Sequence, residues 1–284
     1  MAVTIAQISD THLSDNKPFF LSNFDHTAQA LRDSRPDLVI NTGDVSLNGG
    51  DLIDDLAVAR ARHETLGLNW LAIAGNHDVG DCVDVARHQP VNAERLARWH
   101  DVFGASWWSE DVPGWCLLGV DALILGSGLA QDEVQLDFIR AAAGKLDGRA
   151  LMLFIHKPLF EYAPDDAGLN SLCITPAPRA ALMAALGGAR PRLVVSGHTH
   201  QYRDIAVDGT RHVTAPGVSF VTPPWFHPGF GLRTVGYVEH VLEADGGFRS
   251  TLKGVSRTVI TDLEDFPEAY GDLRAMRAGQ EHAA

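Results

Sequence analysis

The chain is poor in cysteine and in basic residues, and it has no long apolar run. Its three cysteines, Cys82, Cys116 and Cys173, form no CxxC pair and are odd in number. A disulfide framework is therefore excluded as the organising device, and a reducing, cytoplasmic setting is expected. Lys and Arg total 23 against 36 Asp and Glu, for a formal net charge of −13. Binding long DNA or RNA requires basic patches that neutralise phosphates, so long nucleic acid is not the expected partner. No stretch approaches the roughly 20 apolar residues of a membrane span. The N-terminus, MAVTIAQISD, lacks the basic start and long apolar stretch of a signal peptide, and no membrane partner is expected. The composition is otherwise that of a globular protein, 45% hydrophobic and 21% charged, in a chain of 284 residues that can bury a substantial core.

Short β-branched or aromatic runs predict strands at 3–8, 38–40, 70–73, 150–155 and 193–195. Helical spacing of apolar residues predicts helices over 23–32, 52–66, 92–103, 133–143 and 179–186. Alternation of strand and helix implies a largely parallel sheet with helices on its faces. The second half changes character. Residues 204–214 read as a hairpin turning at Asp208-Gly209, and 233–241 and 248–252 add two strands joined through Asp245-Gly246-Gly247. The expected class is therefore α/β, a sandwich of mixed sheets. Trp107, Trp108 and Trp115 are assigned to core or edge-strand packing, Lys157 to the surface, and the polar stretch 258–284 to a tail or appended helix.

Polar residues concentrate after the predicted strands. Ser9-Asp10-Thr11-His12 follows the first, Asn41-Thr42-Gly43-Asp44 the second and Gly75-Asn76-His77-Asp78 the third. His156 follows the fourth and Gly197-His198-Thr199-His200 the fifth. In a parallel sheet these carboxyl ends lie along one edge, where such folds bind ligands. Two carboxylates, an amide oxygen and four imidazoles exceed what one ion needs and suit two ions sharing a carboxylate. Imidazole and carboxylate accept Mn, Fe, Zn or Co, so the cofactor expected is a pair of divalent or mixed-valence ions of this group. In an extended 198–200 segment alternate side chains diverge, so Thr199 is expected to point away from its flanking histidines.

Asp10-x-His12, Gly43-Asp44, Gly75-Asn76-His77-Asp78, His156 and Gly197-His198-x-His200 together resemble, in order, the calcineurin-like metallophosphoesterase signature, with the form of the bacterial class III cyclic-nucleotide and glycerophosphodiester phosphodiesterase branch. The resemblance implies a four-layer α/β/β/α sandwich over residues 1–257 with the metal site at strand carboxyl ends. It implies one ion on Asp10, His12 and His200, a second on Asn76, His156 and His198, and Asp44 bridging them. It also implies hydrolysis by a metal-bridging hydroxide attacking phosphorus. His77 would meet a phosphoryl oxygen or protonate the leaving group, with Asp78 either orienting it or capping the next segment. Asn76 and His77 would contact substrate. Apart from the resemblance, the irregular stretch 222–229, with its aromatics and His227, is read as a wall that holds the leaving group. Two departures narrow the field. Leu47 stands where purple acid phosphatases carry a tyrosine ligand, and Val79-Gly80-Asp81 stands where members of the branch often place Arg.

The expected partner is a small phosphoester, most naturally a diester. A phosphomonoester or nucleotide at the same centre and a non-catalytic metal-binding scaffold are the competing expectations. Apolar residues near Trp107 or in the tail would supply a surface for a homo-oligomer.

Overall fold

A computed structural model describes residues 2–86 and 88–275. Twelve strands and seven α-helices alternate along them: β1 (Val3–Ile8), α1 (Leu21–Ser34), β2 (Leu38–Asn41), α2 (Ile53–Glu64), β3 (Trp70–Ala72), α3 (Asn76–Val79), α4 (Ala93–Phe103), β4 (Trp108–Val112), β5 (Trp115–Val120), α5 (Ala130–Ala143), β6 (Ala150–Ile155), α6 (Pro176–Leu186), β7 (Pro191–Ser196), β8 (Gln201–Val207), β9 (Thr210–Thr214), β10 (Leu232–Arg233), β11 (Tyr237–Leu242), β12 (Phe248–Lys253) and α7 (Pro267–Tyr270). They form two mixed sheets, one of five strands in the order β12-β11-β1-β2-β3 and one of seven in the order β10-β8-β9-β7-β6-β5-β4. The parallel runs are β1-β2-β3 in the first sheet and β5-β6-β7-β9 in the second.

Period-two burial puts the sheets face to face. Ile5, Leu117, Met152, Phe154, Leu193 and Val195 belong to one buried cluster. Their neighbours Ala6, Cys116, Leu118, Leu151, Leu153 and Val194 belong to another, with the apolar stripes of the helices. Alternate side chains of a strand point to opposite faces, so the first cluster fills the space between sheets and the second the outer layers. Phe24, Ala28 and Leu31 of α1 and Leu56 and Ala59 of α2 supply one outer stripe, and Leu136, Ile139, Leu182 and Ala185 of α5 and α6 the other. His63 of α2 reaches Asn41 of β2 at 2.9 Å. Gln135 of α5 ties to the backbone of Asp121 just past β5. The four-layer sandwich is the observed architecture.

The β4–β5 hairpin lies outside the predicted strand ranges, but Trp108 on edge strand β4 and buried Trp115 on β5 fit their assignment to core or edge-strand packing. Its sequence, WSEDV-PG-WCLLGV, has a charged outer edge strand and an inner strand buried at every position, so neither shows a simple alternation. The turn needs Gly114, whose φ is +79° and whose missing Cβ would fall 2.1 Å from the Ala244 carbonyl. The tryptophans here knit the sheets together. Trp108 Nε1 donates to the Ala72 carbonyl and Trp115 Nε1 to the Glu243 carbonyl, each at 2.8 Å.

Of the stretch 258–284, residues 276–284 lie outside the described residues. Residues 258–275 pack back on the molecule. Leu263, Ala269 and Leu273 share a cluster with Phe20, Leu47 and Phe220, and Val221 exchanges backbone hydrogen bonds with Thr261 and Leu263. Among the described residues no helix is long and apolar enough to cross a membrane.

Candidate metal centre

The carboxyl ends of β1, β2 and β3 in one sheet and of β6 and β7 in the other open on the same edge of the sandwich, and the site lies across their seam. Gln7 Nε2 donates to the Ser196 carbonyl at 2.9 Å, tying β1 to β7 there. Asp10, His12 and His200 form one group whose candidate ligand atoms lie within 4.8 Å of one another. Asp44, His156 and His198 form a second on the same criterion, and His12, Asp44 and His77 a third. Asn76, at the start of α3, places Oδ1 3.2 Å from His156 Nε2. His198 and His200 thus fall in different groups, and Asp44 reaches both sides, 3.8 Å from His12 Nε2 and 3.3 Å from His156 Nε2.

The backbone that produces this convergence is unusual. Among the described residues nine non-glycine positions have positive φ, and five of them are Asp10, His12, Asp44, His198 and His200. Left-handed conformation costs a non-glycine residue roughly 1 kcal/mol or more and clusters at functional sites. The expectation of an extended 198–200 segment is therefore corrected. β7 ends at Ser196 and β8 starts at Gln201, and the left-handed turn between them, not strand alternation, aims both imidazoles. Close approach also requires glycine at 75 and 197. A Cβ on Gly75 would fall 2.2 Å from Asp44 N, and one on Gly197 would fall 1.8 Å from Ser9 Oγ.

Hydrogen bonds to backbone carbonyls fix a donor nitrogen on three of the imidazoles. His156 Nδ1 donates to the Thr42 carbonyl at 2.8 Å, His200 Nδ1 to the Phe220 carbonyl at 2.9 Å and His198 Nε2 to the Ser171 carbonyl at 2.8 Å. His12 Nδ1 meets the hydroxyl of Tyr270. With one N–H committed to a carbonyl, neutral His200 keeps a lone pair on Nε2 and neutral His198 keeps one on Nδ1. His12 Nε2 lies 3.2 Å from His200 Nε2, and His200 Nε2 lies 3.4 Å from Asp10 Oδ1. His198 Nδ1 is buried with no hydrogen-bond partner among the described residues. Acceptors gathered against acceptors repel unless positive charge sits between them, and a ligating imidazole donates its outer N–H in this way. The donor set therefore fits metal ions.

The electrostatics agree. Burial holds His12 and His198 well below the usual imidazole range and His200 at about 4, so each is a neutral imidazole. Burial also lowers His156, but the charges of Asp44 and Asp10 outweigh it and lift it to about 9. Burial pushes Asp44 up, yet the charges of His156 and His77 hold it well below the carboxylate range. Asp10 is raised to about 7 by burial, with the charge of Asp44 adding to the effect. These carboxylates stabilise positive charge at the seam.

His77 donates Nδ1–H to the Leu47 carbonyl at 3.0 Å and its backbone N–H to Asp44 Oδ1 at 2.8 Å. Its ring borders a cavity of about 290 Å³ with His12, Asn76, His227, Phe226 and Tyr270. His227 is on that wall, while its backbone carbonyl accepts from Gln201 Nε2. Asp78 is a correction. It does not orient the His77 imidazole. Its carboxylate is buried beneath the site and accepts from Gly75 N (2.8 Å), Val45 N (3.1 Å), Ser46 N (3.0 Å) and Ser46 Oγ (2.6 Å). Asp78 caps α3 and fastens it to the Asp44 loop. Lys157 is a second correction. It is fully buried, with Nζ paired to Asp81, because the turn after His156 runs inward. Sequence reasoning missed Tyr270, which touches His12, and Phe220, which stacks on His200 at 4.1 Å. Neither lies in a motif.

Imidazoles and carboxylates converging at the seam of a four-layer sandwich define a candidate metal-binding site. The calcineurin-like phosphoesterase family profile matches residues 3–202, and the chain belongs to that family, a family of phosphoester hydrolases. It is 26% identical over 266 residues, 90% of this chain and 93% of the other, to a probable cyclic nucleotide phosphodiesterase of Synechococcus sp.. It is also 26% identical over 217 residues, 69% of this chain and 71% of the other, to a probable glycerophosphodiester phosphodiesterase of Arcobacter nitrofigilis. Among solved structures a purple acid phosphatase from yellow lupin (Lupinus luteus) seeds superimposes with a TM-score of 0.66 at 15% identity, covering 92% of this chain. The chain spans 53% of that phosphatase, whose likeness shows the shared fold.

Proposed function

We propose that this protein is a dinuclear metal-dependent phosphodiesterase acting on small phosphodiesters. The observation that carries the reading is the convergence of imidazole nitrogens with carboxylate and amide oxygens across the sheet seam. In this reading Asp10, His12 and His200 hold one ion, Asn76, His156 and His198 a second, and Asp44 lies between. Bound cations there would neutralise phosphoryl oxygens and lower the pKa of a water. The protein's own groups do the rest. Asn76 and His77 orient the phosphoryl group from the start of α3. With Nδ1–H committed to Leu47, His77 keeps Nε2 to carry a second proton toward a phosphoryl oxygen or the departing alkoxide. His227 and Phe226 wall the leaving-group side. A diester is favoured because no Lys or Arg is among the described residues lining the cavity. A singly charged phosphoryl group needs less neutralisation there than a doubly charged monoester. The names of the two curated relatives support the same choice. The partner in this reading is the small substrate itself.

The test is hydrolysis after chelation and reconstitution with Mn, Fe, Zn or Co. Bis(p-nitrophenyl) phosphate is expected to be cleaved faster than p-nitrophenyl phosphate, and Asn76→Ala to lose both activities. Preference for the monoester would move the assignment to a phosphatase. Protein that holds two ions yet cleaves neither would mark a scaffold.

A further inference from the structure

Three of the four candidate imidazole ligands give their outer N–H to a backbone carbonyl, at Thr42, Phe220 and Ser171. His12 does not. Its Nδ1 meets a side chain, the Tyr270 hydroxyl, which comes from the end of α7, 68 positions beyond the last residue of the family match (270 against 202).

The C-terminal segment delivers that hydroxyl with several anchors. Lys17 Nζ donates to the Ala269 carbonyl at 3.0 Å, beside Tyr270. Arg233 Nη2 donates to Asp262 Oδ2 at 2.6 Å, and Leu263, Ala269 and Leu273 are packed with Phe20, Leu47 and Phe220. The Tyr270 ring stands perpendicular to His12, with centroids 5.7 Å apart, and edge-on to His77 at 5.0 Å. A hydroxyl accepts a hydrogen bond through its lone pairs and still donates its own proton. It can therefore take the His12 Nδ1–H, which fixes the tautomer that points the Nε2 lone pair at His200 and Asp10.

We infer that Tyr270 is a positioning residue for the metal centre: the C-terminal segment completes the Asp10–His12–His200 ion site by accepting the outer N–H of His12. The inference rests on the proposed centre and adds to it a residue outside the five motifs. It concerns one ion site and not the other, because Tyr270 touches none of Asn76, His156 and His198 through its hydroxyl. Loss of a partner that orients a ligating histidine typically weakens metal affinity roughly 10–100-fold.

The experiment is calorimetric titration of metal-free protein with Mn²⁺ alone, comparing wild type, Tyr270→Phe and His12→Ala. Wild type is expected to bind two ions and His12→Ala to lose one site. Tyr270→Phe keeps the ring and its packing. It should weaken one binding step about 10–100-fold, leave the other unchanged, and preserve the thermal midpoint of the metal-free protein. Two wild-type-like steps in Tyr270→Phe, with one step missing in His12→Ala, would overturn the role of Tyr270 while leaving the centre in place. Equal weakening of both steps would also overturn it, since that marks a general loosening of the fold. Wild type that takes up no ion would overturn both proposals.

Discussion

Asp44→Asn should lower kcat/KM for bis(p-nitrophenyl) phosphate by about 10³-fold or more, a loss of about 4 kcal/mol of transition-state stabilisation. Asparagine has nearly the shape of aspartate and keeps an oxygen to accept the His77 N–H that now reaches Asp44 Oδ1 at 2.8 Å. It cannot supply a negative charge to both sides of the seam, where Asp44 Oδ2 lies 3.3 Å from His156 Nε2 and 3.8 Å from His12 Nε2. In the metal-free protein the charges of His156 and His77 hold Asp44 well below the carboxylate range, so neutralising it removes an attraction that favours the fold at neutral pH. That loss is partly offset, because the charge of Asp44 raises both Asp10 and Asp78 and its removal relieves crowding of buried carboxylates. Parallel measurement of steady-state kinetics, metal content and urea unfolding checks this. Retained activity with one ion per chain would show that Asp44 is not shared between ions.

Asp78→Ala should act in the opposite way, through stability. Four donors, on Gly75, Val45 and twice on Ser46, point at this carboxylate in the interior, and Asp78 is fully buried. Alanine leaves them without an acceptor, and each buried donor so stranded costs about 1–3 kcal/mol, less where water enters the gap. A combined loss of roughly 3–5 kcal/mol is expected in urea unfolding. The β2–α3 junction that carries Asp44 and Asn76 would loosen with it, so metal affinity falls as well. Unchanged stability with a selective fall in kcat would return Asp78 to the role of a catalytic partner for His77.

The contrast between these two aspartates shows what the sequence could convey. Asp44 and Asp78 both sit in glycine-aspartate or histidine-aspartate pairs just past a strand, and both resemble family motif positions. Their separate tasks depend on which way each carboxylate turns. Asp44 has φ of +52° and looks into the seam. Asp78, at the third position of α3, looks back into the protein. No composition or spacing rule distinguishes these directions. The strand ends were legible because period-two apolar runs stop abruptly at polar residues, and parallel pairing then brings those stops to one edge. The left-handed turns at Asp10, His12, His198 and His200 were not legible, because the backbone strain there is held by tertiary contacts. Among those contacts are the bonds from His198 N to both Asp10 carboxylate oxygens, at 3.1 and 3.0 Å.

Other misses have equally physical origins. Trp115–Val120 is buried on both faces, so it shows no alternation, and its edge partner β4 is exposed at Ser109, Glu110 and Asp111 in succession. Lys157 read as a surface residue because lysine seldom enters a core, but Asp81 meets it there. Tyr270 belongs to a polar stretch without periodicity, and only the packing of Leu263, Ala269 and Leu273 against Phe20 and Leu47 brings it to His12. Contacts of such sequence separation leave no local trace.

The most direct test of the central claim is an anomalous-diffraction map of crystals grown from Mn²⁺-loaded protein. The account predicts two peaks about 3.5–4 Å apart, the spacing of two-ion hydrolytic centres. One should lie among Asp10, His12 and His200, the other among Asn76, His156 and His198, with Asp44 between them. A single peak, or two peaks that leave Asp44 to one side, would contradict it.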